Sequence, residues 1–119
     1  MDMSLEEATR IASGFGAGVG KMREVCGAVC GMALVASHFK GYSDPAEVEG
    51  KRALYHLIQD MCNAFDDRMG SIVCRELLGL KKGEDAVEPA IRTEEYYQSR
   101  PCIRACRVAA EIVEKHLEI

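Results

Sequence analysis

Residues 25–39 read VCGAVCGMALVASHF, and the twelve positions from Val25 to Ala36 contain no charged side chain. The run shows no strand alternation and falls short of the ~20 apolar residues that cross a bilayer, so it predicts a buried core helix. Gly27, Ala28, Gly31 and Ala33 keep one side of that helix thin, which predicts a neighbour packed closely against it. Gly41 ends it.

Helical signals continue on both sides. Asp44-Pro45 with Glu47 has the N-cap, N1 and N3 pattern of a second long helix. Its stripe is Leu54, Leu57, Ile58, Met61, Phe65 and Met69, with Cys62 on the edge and Gly70 as the stop. Ser71 is placed to cap a short helix ending at Gly79, and the polar stretch Lys81 to Glu95 predicts the longest loop. Ser99 and Pro101 then open a C-terminal helix whose expected shared face is Ile103, Cys106, Ala110, Val113 and Leu117, with Cys102 at its edge. Towards the N-terminus, Ser4 and Glu7 form a capping-box pattern ahead of Leu5, Ala8, Ile11 and Ala12. Helices are therefore expected near 4–13, 25–39, 45–69, 71–78 and 101–118, with no sheet. The expected fold class is all-α: one domain over residues 1–119, a bundle of about five helices.

Residues 14–20, GFGAGVG, place glycines at 14, 16, 18 and 20 and predict a connector that needs positive φ or close backbone approach. A dinucleotide-binding loop is not expected. Its third glycine would fall on Val19, and no strand pattern precedes it.

The charge balance excludes further classes. Nineteen acidic and fifteen basic residues are scattered along the chain, so no basic stripe tracks phosphates and nucleic acid is not an expected partner. MDMSLEEATR lacks a basic segment followed by an apolar one, which predicts no secretory signal, no membrane association and a cytoplasmic location. In a reducing compartment, clustered cysteines point to metal binding or catalysis rather than to structural disulfides.

There are six cysteines: Cys26, Cys30, Cys62, Cys74, Cys102 and Cys106. Four residues turn an α-helix by about 400°, so Cys26/Cys30 and Cys102/Cys106 project from nearly one side, with Cβ atoms ~5–6 Å apart. Each pair could reach one metal, and a disulfide within a pair is the second choice because it needs Cβ atoms at ~3.5–4.5 Å. Cys62 stands beside Met61 and Phe65 and is expected to be core filler. Cys26, Cys74 and Cys102 lie at or near expected helix N-termini, where the helix dipole lowers a thiol pKa. His38, His56 and His116 carry no paired ligand motif and are expected on the surface, as are Tyr96, Tyr97 and Arg100 ahead of Cys102.

GFGAGVGKMREVCGAVCGMALV, GSIVCRELLG and PCIRACRVAAEIVE resemble the three signature blocks of the C_GCAxxG_C_C family of redox-active proteins, itself similar to the non-haem part of a split-Soret cytochrome. The resemblance selects Cys26, Cys74 and Cys102 as the ligands of a cofactor or metal, and implies a redox function with an iron-sulfur or other thiolate-bound metal centre. Cys30, Cys62 and Cys106 fall where the family pattern more often carries small or apolar residues. That pattern also begins with a cysteine upstream of the glycine run, and no cysteine precedes Cys26. Cys30, Cys106 or a second subunit would then supply a fourth ligand.

The expected function is electron transfer through thiolates gathered at one end of the bundle, to a redox partner the sequence does not identify. Thiolate donors favour iron-sulfur, zinc or Cu(I) over hard cations. Two other classes stay open: a thiol-disulfide enzyme, and a structural or interaction module with core cysteines. The thin helix from Gly27 to Ala36 is also compatible with a homodimer.

Overall fold

Among the described helices the first alone carries a side-chain N-cap, and the other boundaries are set by the turns and the backbone bridge that lead into them. The computed structural model describes residues 1–80, 94 and 100–119. Among these are α1 (Leu5–Ala12), a single 3-10 turn (Ser13–Phe15), α2 (Gly27–Lys40), α3 (Val48–Met69), α4 (Cys74–Leu78) and α5 (Cys102–Leu117). The all-α expectation holds, with five α-helices among the described residues. Most of the expected long loop, together with Tyr96, Tyr97 and Ser99, lies outside the described residues. No described helix is long and apolar enough to cross a membrane.

Ser4 caps α1 as expected, its hydroxyl accepting from the Glu7 amide at 3.1 Å. The other starts differ. Asp44 closes a tight turn instead of capping α3: its carboxylate accepts from the Ala46 amide (2.9 Å) and its carbonyl from the Glu47 amide (3.0 Å). Pro45 thereby sits inside the turn, and α3 begins at Val48. Ser71 likewise uses its hydroxyl on the Val73 amide at 3.0 Å, and α4 begins only at Cys74. α2 begins at Gly27 rather than at 25, because Val25 pairs with Val73 in an isolated antiparallel bridge. The expected glycine stops are kept: Gly70 (φ 94°) and Gly79 (φ 68°) end α3 and α4 in the left-handed region.

Helices α2, α3 and α5 pack on one another around a single core. Val29, Met32 and Ala36 of α2 meet Leu54, Met61 and Phe65 of α3, and Met61 and Phe65 are fully buried. An Arg68–Glu111 ion pair of 2.8 Å adds an exposed tie between α3 and α5. The thin side of α2 is used only at one end. A Cβ on Gly27 would lie 2.8 Å from the Phe15 carbonyl oxygen, whereas one on Gly31 would meet nothing within 4 Å.

The buried face of α5 agrees with the expected one only towards its C-terminal end, where Val113 is buried and Leu117 packs on the core. Ala105, Val108, Ala109, Ile112 and Val113 are buried, while Ile103 is 52% exposed and Cys106 and Ala110 face outward. Two apolar stripes compete on this helix, and the stripe carrying Val108 and Ile112 gives the core more branched bulk than the one carrying Cys106 and Ala110. The same rotation turns Cys102 and Cys106 out of the core.

Phe65→Ala is expected to destabilise the fold by about 3–5 kcal/mol in chemical denaturation, the range for emptying a large core aromatic site. Ile103→Ala is expected to stay within about 0.5 kcal/mol. A larger loss at Ile103 than at Phe65 would contradict the observed rotation of α5.

Candidate functional site

The site is built from the Val25–Val73 bridge outward. The Cys26 amide donates to the Ile72 carbonyl at 2.8 Å and the Cys74 amide donates to the Glu24 carbonyl at 2.6 Å, flanking the bridged pair. Side chains alternate across extended backbone, so Cys26 and Cys74 project from the face opposite Val25 and Val73. They are diagonal neighbours there, a relation that sets Cα atoms ~7–8 Å apart. Helices α2 and α4 start at once on either side, leaving Cys26 at the N-cap of α2 and Cys74 in the first position of α4. Cys102 is the first residue of α5.

The glycine-rich connector has the geometry its composition predicts, and more of it. Ala17, Gly18, Val19, Gly20 and Lys21 all have φ between 55° and 76°, and Arg23 follows at 61°. Left-handed backbone costs a non-glycine residue ~1–2 kcal/mol, and a β-branched residue such as Val19 is rare there. Hydrogen bonds from the amides of Gly20 to Gly14 (2.8 Å), Arg23 to Ala17 (3.2 Å) and Glu24 to Gly18 (3.0 Å) hold the turn closed. Gly18 is the tightest point: a Cβ there would lie 2.7 Å from the Arg23 Cα, the Glu24 amide nitrogen and the Cys74 Cβ.

This turn delivers Arg23 into the interior. Arg23 is 5% exposed, and its Nη1 donates to the Cys74 sulfur at 3.7 Å. Beside it lies a cavity of about 210 Å³ lined by Cys26, Cys74, Cys102 and Cys106. The structure thus brings the three selected cysteines to one cavity and adds Cys106, whose i,i+4 spacing to Cys102 was visible in the sequence. Arg23 had no such signal. It stands three residues before Cys26 in a polar stretch, and only its burial marks it out.

The remaining cysteines go elsewhere. Cys30 does not line the cavity, so Cys26 and Cys30, whose spacing could let both reach one metal, are not brought together there. Cys30 and Cys62 are both half-buried, near enough that negative charge on Cys30 disfavours it on Cys62, and Cys62 packs against the core as expected. His38 and His56 are exposed, and His116 is occupied by a 2.9 Å hydrogen bond from Nδ1 to the Ile112 carbonyl. No group of three or more His, Cys, Asp or Glu side chains among the described residues is gathered closely enough to hold a single metal ion.

The expected lowering of the Cys26 pKa is reversed. Burial pushes the thiol above its ordinary value of 9.0; the Ala28 and Val29 amides pull it down without forming a cap hydrogen bond; negative charge on Cys74 or Cys102 pushes it up again. Desolvation outweighs the helix terminus. Burial also raises Cys30 and Cys62.

Two outcomes are expected from this geometry. Gly18→Val should destabilise the chain by roughly 1–3 kcal/mol or more, because backbone and a Cβ block the new side chain and φ is positive. Saturable nucleotide binding abolished by that substitution would overturn the structural role of the turn. The second outcome concerns pH. Thiols whose folded pKa lies above the unfolded one stabilise the fold fully below the unfolded pKa, and the contribution is lost as pH rises through the folded pKa. The reduced, metal-free protein should therefore keep its melting temperature from pH 7 to 8 and lose stability above about 9, where unfolded thiols ionise first. A melting temperature that rises across that range would contradict the assigned shifts.

Neither the curated proteins nor the solved structures compared with this chain include a match. The family model described as "Putative redox-active protein (C_GCAxxG_C_C)" matches residues 1–116, from before α1 to within the last turn of α5. With three cysteines at helix starts around one cavity and a match of that extent, the chain belongs to the C_GCAxxG_C_C family of redox-active proteins.

Proposed function

We propose that the protein transfers electrons through an iron-sulfur centre held by Cys26, Cys74 and Cys102, with Cys106 as a fourth thiolate. The observation that carries this reading is the lining of one cavity of about 210 Å³ by four cysteines and the buried Arg23. An all-sulfur donor set suits soft metals. A lone tetrahedral zinc with bonds of ~2.3 Å would need its sulfurs within roughly 4 Å of each other, and the described residues form no group that tight. Thiolates spread around a cavity suit a centre of several irons better. Such a centre, when bound, supplies reversible one-electron transfer.

The chain's own residues divide the work. Cys26 and Cys74 are fixed by the bridge and set the inner wall, whereas Cys102 and Cys106 are exposed on α5 and form the outer side. The first amides of α2, α4 and α5 favour negative charge near the sulfurs, and the buried Arg23 adds a full positive charge. Partial burial keeps water away from the inner sulfurs. The redox partner is expected to approach from the α5 side.

The lack of a tight ligand group favours a second reading, thiol-disulfide exchange with a protein or small disulfide. The exposed Cys102 thiolate would attack the partner disulfide, form a mixed disulfide and release one partner sulfur as thiolate. A second cavity thiol, Cys26, would displace the other partner sulfur. Two protein thiols then lose two electrons and two protons, and the partner disulfide gains them.

Anaerobic purification followed by iron and acid-labile sulfide assays and a visible spectrum decides between the two. Iron, sulfide and broad visible absorbance are expected, with all three lost in Cys26→Ser, Cys74→Ser, Cys102→Ser and Cys106→Ser and kept in Cys62→Ser. A colourless protein free of iron and sulfide would rule out the cluster. A reversible dithiol couple abolished at Cys26 and Cys102 would then establish exchange, and neither signal would end both readings.

A further inference from the structure

We infer that Arg23 tunes the cysteine centre, holding its reduction potential high through a permanent positive charge and a hydrogen bond to the Cys74 sulfur. The inference rests on the cluster reading of the cavity proposed above, in which Cys74 is a ligand.

The argument starts from what it takes to put the side chain there. A guanidinium keeps its proton at any physiological pH, so Arg23 cannot shed its charge on burial as a lysine can. Burying a charge is costly unless it is paired and hydrogen-bonded, and Arg23, only 5% exposed, directs one of its N–H groups to the Cys74 sulfur. Its backbone is held at φ 61° behind five consecutive left-handed residues. Gly18 lies so close beneath the Arg23 Cα that no side chain fits. Strain of this kind persists only where the surroundings over-determine it, and it clusters at functional sites. Among the described residues lining the cavity, Arg23 is the one with a fixed charge.

Its backbone work is separate from its side-chain work. The Arg23 amide donates to the Ala17 carbonyl and its carbonyl accepts from the Arg75 amide, both at 3.2 Å. A substitution that changes only the side chain leaves these bonds available. The side chain instead reaches the Cys74 sulfur at 3.7 Å. Reduction adds negative charge to the sulfur site when an electron enters a thiolate-held cluster. A cation and a hydrogen bond at the sulfur stabilise that more negative state, and the potential rises.

The test is a redox titration of the full chain, purified anaerobically, comparing wild type with Arg23→Gln and Arg23→Lys. Arg23→Gln keeps a hydrogen-bond donor and removes the charge. Its equilibrium constant should shift at least tenfold towards the oxidised form, a fall of about 59 mV for one electron. Arg23→Lys keeps a cation without the planar fork and should fall by about threefold in the same constant, on the premise that a compact ammonium replaces the guanidinium imperfectly. It also provides the readout if the glutamine variant fails to fold. A purely structural role would lower the melting temperature of both variants and leave the potential in place, and that outcome overturns the inference. Potentials that rise overturn it as well. A wild-type protein with no reversible couple overturns the redox reading and this inference together, whereas an intact couple that both variants leave unmoved removes this inference alone.

Discussion

The antiparallel pairing of Val25 with Val73 is the constraint on which the site depends. Two hydrogen bonds, at 2.8 and 2.6 Å, clamp the chain just before α2 to the chain just before α4. Without them α4, a helix of only five residues, would have little to hold it, since short isolated helices are marginal in water. With them, two cysteines 48 positions apart in sequence share one face of one short ladder. The start of α2 is set by the same contact. Val25 is drawn into extended backbone, Cys26 becomes the N-cap, and the helix begins at Gly27.

The glycine-rich turn closes underneath this clamp. Its left-handed residues are individually unfavourable, and the amides of Gly20, Arg23 and Glu24 are satisfied by carbonyls within the turn. Gly18 and Gly27 work as a pair. Gly18 lets the turn approach Arg23 and Cys74, and Gly27 lets α2 settle on the carbonyl of Phe15. The cysteine cavity is what remains between the turn, the two helix starts and α5. Its character follows from that construction, with cysteines on several sides, amides at helix ends and the buried Arg23.

Burial reverses the simplest electrostatic expectation for Cys26. A thiol at a helix start in water would ionise more readily, but desolvation exceeds what the first amides of α2 return. In the reduced, metal-free protein Cys26 is therefore biased towards the neutral thiol, and a bound soft metal would have to displace its proton. The exposed Cys102 and Cys106 differ from it in access to solvent. A wall of buried and exposed thiols around one cavity is compatible with a centre that is loaded from, and exchanges electrons through, the α5 side.

Much of this was legible in the chain itself. The stripe from Leu54 to Met69, the cap at Ser4, the stops at Gly70 and Gly79 and the need for positive φ between residues 14 and 20 are local properties, decided by side-chain period and backbone sterics. The signature cysteines were legible as well, because three of them stand beside helix-start signals. Tertiary structure decided the rest. Whether Asp44 and Ser71 cap a helix or close a turn depended on where the chain was led next, and which of two apolar stripes on α5 faced inward depended on the volume left by α2 and α3. Arg23 shows the limit most plainly. A charged residue in a polar stretch reads as solvated surface, and the left-handed turn together with the clamp between Val25 and Val73, made by residues far apart in the chain, turns it into the buried cation of the cysteine cavity.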